Sequence, residues 1–159
     1  MAAPVLIRPA RPADRPALLE QYRLLNAWED AISHDRLTDA DAAEASLTVA
    51  EGRVAGSGGQ ILVAERDGAV IGHMFLTFER SAPFHRDRPY AYVMELFVRE
   101  AERGSGIGKR LLQAAEALAR EAGLRRLLIG VLAGNDRAEG AYRRFGFAPY
   151  SMELSKILD

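Results

Sequence analysis

Leu96-Phe97-Val98-Arg99-Glu100-Ala101-Glu102-Arg103-Gly104-Ser105-Gly106-Ile107-Gly108-Lys109-Arg110 runs from an apolar strand through a glycine-rich turn straight into an amphipathic helix. Glycines at 104, 106 and 108 admit positive φ and carry no side chain to hold a ligand away. Successive amides in such a turn can face inward, and the free N–H groups of the new helix add the positive end of its dipole. A phosphate or pyrophosphate fits there on physical grounds alone, with Lys109 and Arg110 adding charge beside it. Other phosphate loops fail on spacing. In a dinucleotide fingerprint begun at Gly104 the third glycine falls on Lys109, and a Walker loop meets Arg103 and Arg110 where it needs glycine and a hydroxyl residue. A connection without a ligand has no reason to bear the entropic cost of three alternating glycines.

Upstream, Val5 to Arg8 is a short apolar run suited to an edge strand, broken by Pro9 and Pro12. Asp14 before Arg15-Pro16-Ala17 starts a helix that carries Leu18, Tyr22, Leu25 and Trp28 at helical spacing to about Ala27. A polar stretch from Glu29 to Arg36 follows. Thr38 or Asp39 then caps an alanine-rich helix to about Arg53, and Gly56-Ser57-Gly58-Gly59 reads as a flexible loop. Gln60 to Arg66, the turn Asp67-Gly68 and Val70 to Glu79 predict a hairpin. Ser81 to Pro89 is a loop, and Tyr90 to Val98 a long strand. Downstream, Ile107 to Ala122 is helical and closed by Gly123, and Leu127 to Leu132 is a buried-type strand. Asn135 to Phe145 is a short helix stopped by Gly146, and Phe147 to Ile157 holds a final strand. The order β-α-α-β-β-β-α-β-α-β predicts an α/β domain with a mixed, mostly antiparallel sheet and helices on both faces.

The chain has 159 residues, a length that suits one domain over residues 1–159. It has no cysteine, which excludes disulfides, thiolate metal sites and a cysteine nucleophile. His34, His73 and His85 are far apart and lack metal-ligand spacing; they read as surface or loop histidines, and no metal is expected. With 21 basic and 22 acidic residues nothing global draws the chain to nucleic acid. The first residues reach Arg8 after a very short apolar run, unlike a signal peptide, and no run suits a membrane span, so a cytoplasmic protein is expected. Arginine and alanine richness is compatible with a GC-rich genome and points to no particular function; a bacterial source is expected.

Arg103-x-x-Gly106-x-Gly108 after an apolar strand resembles the acetyl-CoA signature of the GNAT superfamily of N-acetyltransferases, Gln/Arg-x-x-Gly-x-Gly/Ala, and the order of elements agrees over nearly the whole chain. The resemblance implies that the turn (Arg103, Gly104, Ser105, Gly106, Ile107, Gly108 and Lys109) holds the CoA pyrophosphate. It implies that Leu96, Phe97 and Val98 pair with the pantetheine arm, and that the strand at Tyr90 to Val98 splays from a parallel neighbour at Leu127 to Val131. Asn135-x-x-Ala138-x-x-x-Tyr142-x-x-x-Gly146-Phe147 resembles the second motif of that family. By that likeness Asn135 contacts pantetheine and Tyr142 serves as general acid to the departing thiolate. Read without the family, the same segment is a capped amphipathic helix packing Ala138, Ala141, Tyr142 and Phe145 on a sheet. Gly140 departs from the larger apolar residue often found there.

A thioester is already activated, so a neutral amine attacks it directly once alignment, an oxyanion donor and a proton acceptor are supplied. By family analogy the donor is a backbone N–H near Phe97 or Val98. Glu95, set in Tyr92-Val93-Met94-Glu95-Leu96-Phe97-Val98, shares a face with Val93 and Phe97 by alternation. Its carboxylate is either paired with an arginine or desolvated into a useful base, acting directly or through water. The acceptor site is placed by the resemblance at the first helices and the loop before the central strand, which offer Trp28, Glu29, Asp30, His85 and Tyr90, with Arg86 and Arg88 for an anion. The expected partner is a small-molecule amine; a protein N-terminus or lysine, and a non-catalytic acyl-CoA-binding module, stay open. Dimers are frequent in the family, and Tyr150 to Leu158 is the expected edge for a homodimer.

Overall fold

A computed structural model describes residues 3–86 and 88–158. Met1 and Ala2 of the N-terminal run, Asp87 of the loop and Asp159 lie outside the described residues. Strand β1 (Leu6–Pro9) leads through a short turn into helix α1 (Arg15–Ser33) and helix α2 (Ala40–Ser57). The hairpin β2 (Gln60–Arg66) and β3 (Ala69–Arg80) follows, then β4 (Pro89–Val98), helix α3 (Ile107–Glu121), β5 (Leu127–Ile129) and helix α4 (Asp136–Phe145). The sheet has five strands in the order β1-β2-β3-β4-β5, antiparallel except for the parallel pair β4 and β5.

Period-two alternation divides the strands between two cores. Leu62, Ala64, Ile71, Met74, Leu76 and Val93 pack against Ile107, Leu111, Leu112, Ala115 and Ala119 of α3. Val63, Val70 and Phe75 face the other way, onto Leu18 and Tyr22 of α1 and Leu47, Ala50 and Val54 of α2. Each fully buried side chain of this kind contributes about 2 kcal/mol, so both helical layers are held by the sheet rather than by each other alone. Asp14 does not cap α1 with its side chain; its carboxylate takes both terminal nitrogens of Arg8 at 2.7 and 2.9 Å, tying β1 to the start of α1.

Several expectations are corrected. Helix α1 continues past Ala27 to Ser33, since Glu29, Asp30 and Ala31 contain no breaker and the first left-handed residue is His34, φ 57°. Gly56 and Ser57 are the end of α2, Gly58 is its left-handed cap at φ 71°, and Gly59 is a packing position rather than a flexible one. A Cβ on Gly59 would stand 1.9 Å from the Leu76 carbonyl oxygen, so only glycine lets the chain enter β2 against β3. His73 is neither surface nor loop: it lies in β3 and is fully buried. The last expected strand does not form among residues 147–158, whose Tyr150, Met152, Leu154 and Ile157 are exposed, so that segment offers no strand edge for dimerisation. Strand β5 also ends at Ile129 instead of Leu132, because the chain leaves β4 there.

Candidate active site

The site lies where β4 and β5 part. Ala91, Tyr92 and Val93 pair with Leu127, Leu128 and Ile129, and no pairing continues beyond. The hydroxyl of Tyr92 lies against Gly130, where a Cβ would come within 3.0 Å of it. The second half of β4 stays bound to β3 on one side only and presents its other edge to a cleft of about 570 Å³. Leu96, Phe97 and Val98 line this cleft from β4, and Ile129 to Leu132 line it from the diverging strand.

A bulge aims the carboxylate. Phe75 pairs with Glu95 while Leu76 pairs with Val93, so Met94 is an extra residue on β4. The alternation breaks after Met94: Val93 packs with α3 and Met94 on the α1–α2 side, and Glu95, paired with Phe75 of that side, stays on the same face as Met94. Phe97 stacks on His73, 5.6 Å between centroids, and His73 stacks on Tyr22 of α1 at 5.3 Å. Glu95 therefore shares its face with Phe97 and not, as alternation alone suggests, with Val93. It enters the cleft opposite Glu29 and Arg36. Bulges re-aim side chains in this way beside functional sites. Burial pushes the Glu95 carboxyl up to about 8, with the Glu29 charge adding to the rise and Arg36 opposing it.

Tyr142 reaches the same cleft from α4. Asn135 caps that helix, its side-chain oxygen accepting from the Ala138 N–H at 3.3 Å, and Gly146 ends it in the left-handed region at φ 117°. Gly140 leaves α4 intact. Burial, then the charges of Glu95 and Glu29, push the Tyr142 phenol up to about 12, so it stays a proton donor at neutral pH.

The glycine turn forms the other end of the cleft. Gly104 and Gly106 sit at φ 82° and 84°, and a Cβ on either would meet nothing within 4 Å. The first helical bond of α3 runs from the Arg110 N–H to the Gly106 carbonyl at 3.1 Å. The amides of Ile107, Gly108 and Lys109 thus precede the helix's own acceptors and open onto space that an anion can fill. This set of donors and the room above them fit a pyrophosphate. Arg103 turns back along the wall: its Nε donates to the Val98 carbonyl at 3.0 Å and its guanidinium lies over Trp28 at 4.7 Å. Arg103, Gly104, Gly106, Ile107, Gly108 and Asn135 line the cleft, while Ser105 and Lys109 flank it, the Ser105 hydroxyl donating to the Glu102 carbonyl at 2.6 Å.

Of the residues expected at an acceptor site, the structure brings Trp28 and Glu29 to the cleft but not Asp30, His85 or Tyr90. Asp30 accepts from the Arg36 N–H at 3.0 Å, and His85 sits against the exposed Phe84 in the loop, because β4 leads that loop away from the splayed end. Arg86 and Arg88 are likewise absent from the lining. Sequence reasoning missed Arg36, Arg53, Tyr92 and Glu153, all of which border the cleft. Tyr92 had a signal, since it stands on the strand that carries Glu95. Arg36 and Glu153 had none, being placed by irregular backbone. Among the described residues no group of three or more metal-ligating side chains is assembled, and no helix is long and apolar enough to cross a membrane.

A family model described as Acetyltransferase (GNAT) family matches residues 19–147. Over 89 residues the chain is 35% identical to an IAA acetyltransferase of Azospirillum brasilense, covering 56% of this chain and 54% of that protein. The chain spans about half the length of the curated relatives it matches. The crystal structure of a tetramutant of the BH1408 protein from Bacillus halodurans shares the fold with a TM-score of 0.82 at 19% identity, over 96% of this chain and 99% of that one. Aminoglycoside N-acetyltransferase AAC(6')-Iy in complex with CoA shares it with a TM-score of 0.72 at 18% identity, over 99% of this chain and 97% of that one.

Proposed function

Because the chain belongs to the acetyltransferase (GNAT) family, we propose that it is an enzyme that transfers the acetyl group of acetyl-CoA to the primary amine of a small molecule, in a ternary complex and as one cytoplasmic domain. The observation that carries this reading is one continuous cleft with the glycine turn and the open start of α3 at one end and a buried carboxyl and phenol at the other. The name of the Azospirillum relative, an IAA acetyltransferase, supports a small acceptor.

Acetyl-CoA supplies an activated carbonyl carbon, to which the amine nitrogen bonds as the carbon–sulfur bond breaks. The amides opening α3 bind the pyrophosphate, and the free edge of Leu96 to Val98 aligns the pantetheine arm. A β4 amide near Phe97 or Val98 polarises the carbonyl, held in place because Phe97 is stacked on the buried His73. Glu95 takes the proton of the attacking amine, directly or through water, and Tyr142 donates to the leaving sulfur. With Glu95 near 8 and Tyr142 near 12, base and acid sit in complementary protonation states in mildly alkaline solution. Thiol release is readable without background because the chain lacks cysteine. Tyr142→Phe is expected to lower kcat by about a hundredfold, in the range of general-acid contributions, with acetyl-CoA affinity retained. Full wild-type kcat in that variant across pH removes the assignment.

A further inference from the structure

The acceptor end of the cleft holds a cation that general amine recognition does not call for. Arg36 lies just beyond α1 in a loop built by its own side chains. The Ser33 hydroxyl donates to the Asp35 carboxylate at 2.5 Å, and the Arg36 N–H donates to the Asp30 carboxylate at 3.0 Å. His34 takes the left-handed conformation, which turns the chain back over the helix. The guanidinium is fixed through one nitrogen, Nε, which donates to the Glu29 carboxylate at 3.0 Å. The ion pair from Nη1 to Asp35 is long, 3.7 Å, and among the described residues neither terminal nitrogen donates a hydrogen bond. Arg36 lines the cleft together with Glu95, and its terminal nitrogens keep hydrogen-bonding capacity for a ligand.

Two of the other three arginines that line the cleft are differently occupied, and the third, Arg137, stands in the first turn of α4. Arg53 is paired with Glu79 at 3.0 Å, and Arg103 is bonded to the Val98 carbonyl and stacked on Trp28. The charge balance at Arg36 also selects. Glu29 and Asp35 both pair with Arg36, and the adjoining Glu95 keeps its proton at neutral pH, so this end of the cleft offers a carboxylate and a guanidinium side by side. A bare ammonium would find only half of a partner set there. An amine that carries its own carboxylate satisfies both halves, with nitrogen toward Glu29 and Glu95 and carboxylate on the fork of Arg36.

Resting on the acetyl-transfer reading above, we propose that the acceptor is an amino-acid-type zwitterion and that Arg36 is the residue that selects it by binding the carboxylate. The test measures thiol release from acetyl-CoA with three matched sets of acceptors: free α-amino acids, their carboxamides, and the corresponding decarboxylated amines. The wild type is expected to favour a free acid over its amide in kcat/KM by about ten- to a hundredfold, the range of a hydrogen bond between charged partners. In Arg36→Gln that ratio falls to near one, through KM for the acid, and Arg36→Lys restores part of it as a point charge without the fork. Acetyl-CoA affinity by calorimetry and the far-ultraviolet spectrum report whether each variant is folded. Amides or simple amines used as well as the free acids, or an Arg36→Gln variant slowed equally on all three sets, overturns the selection by Arg36 and leaves acetyl transfer standing. No thiol release with any set overturns both.

Discussion

Glu95→Gln should change how stability depends on pH, and the size of the change follows from where the carboxyl sits. The folded protein holds the Glu95 proton up to about 8, whereas the group releases it near 4.5 when unfolded. Between those values the native state binds more protons than the unfolded chain, so stability falls as pH rises through the window and the loss is complete above about 8. Each pH unit in the window costs about 1.4 kcal/mol, which places the change between pH 5 and 9 on the order of 4 kcal/mol. That is a large fraction of the roughly 5–15 kcal/mol that holds a domain of this size together. Glutamine keeps the shape and cannot ionise. Urea unfolding followed by circular dichroism at pH 5, 7 and 9 should show the wild type losing stability over this range and the variant losing far less. In saturated turnover the wild-type rate should climb about tenfold per pH unit below 8 and the variant's should not. Identical pH slopes of unfolding in both proteins would refute the burial argument, whatever the kinetics show.

Two further outcomes test the packing. Gly59→Ala should destabilise the fold by several kcal/mol or prevent folding, because its Cβ would stand 1.9 Å from a backbone oxygen, while Gly52→Ala in the interior of α2, with nothing within 4 Å, should stabilise by about 1 kcal/mol; equal thermal midpoints for the two variants contradict the geometry. His73 is fully buried and lowered to about 3 by desolvation, so the unfolded chain takes up a proton below 6.5 that the native state refuses, and stability is lost as pH falls from 6.5 toward 3. His73→Phe keeps the stack between Tyr22 and Phe97 and should flatten that acid slope, at a fixed cost of about 1–3 kcal/mol for the Gln21 oxygen left without its 2.8 Å partner; an unchanged slope in acid unfolding assigns the pH response elsewhere.

Strong local signals carried most of the fold. Gln60 to Arg66 is read to its ends because Asp67-Gly68 places two positive φ angles, 50° and 76°, at the hairpin turn. The glycine turn and the Asn135-to-Gly146 helix are legible because caps and left-handed glycines are short-range chemistry. What local pattern could not supply was the bulge at Met94, which depends on the register with β3 and sends Glu95 to the α1 side. His73 resembles a surface residue in sequence; its burial depends on Gln21 and two rings distant along the chain. Arg36 reaches the cleft through a left-handed histidine, a conformation histidine adopts only in context. The apolar alternation of Tyr150, Met152 and Leu154 reads as strand, yet β5 pairs over only three residues and none of the described tail joins it.

Calorimetric titration of the wild type and Gly108→Glu with acetyl-CoA tests the central claim most directly. Gly108 lies in the first turn of α3 with ordinary helical backbone, and a Cβ there meets only a Leu96 methyl at 3.8 Å, so glutamate is tolerated structurally and suits a helix start. Its charge and bulk would stand at the proposed pyrophosphate site. The account predicts one-site binding by the wild type and its loss in a variant that is folded and at least as stable. Absence of binding by the wild type, or undiminished binding by Gly108→Glu, would contradict it.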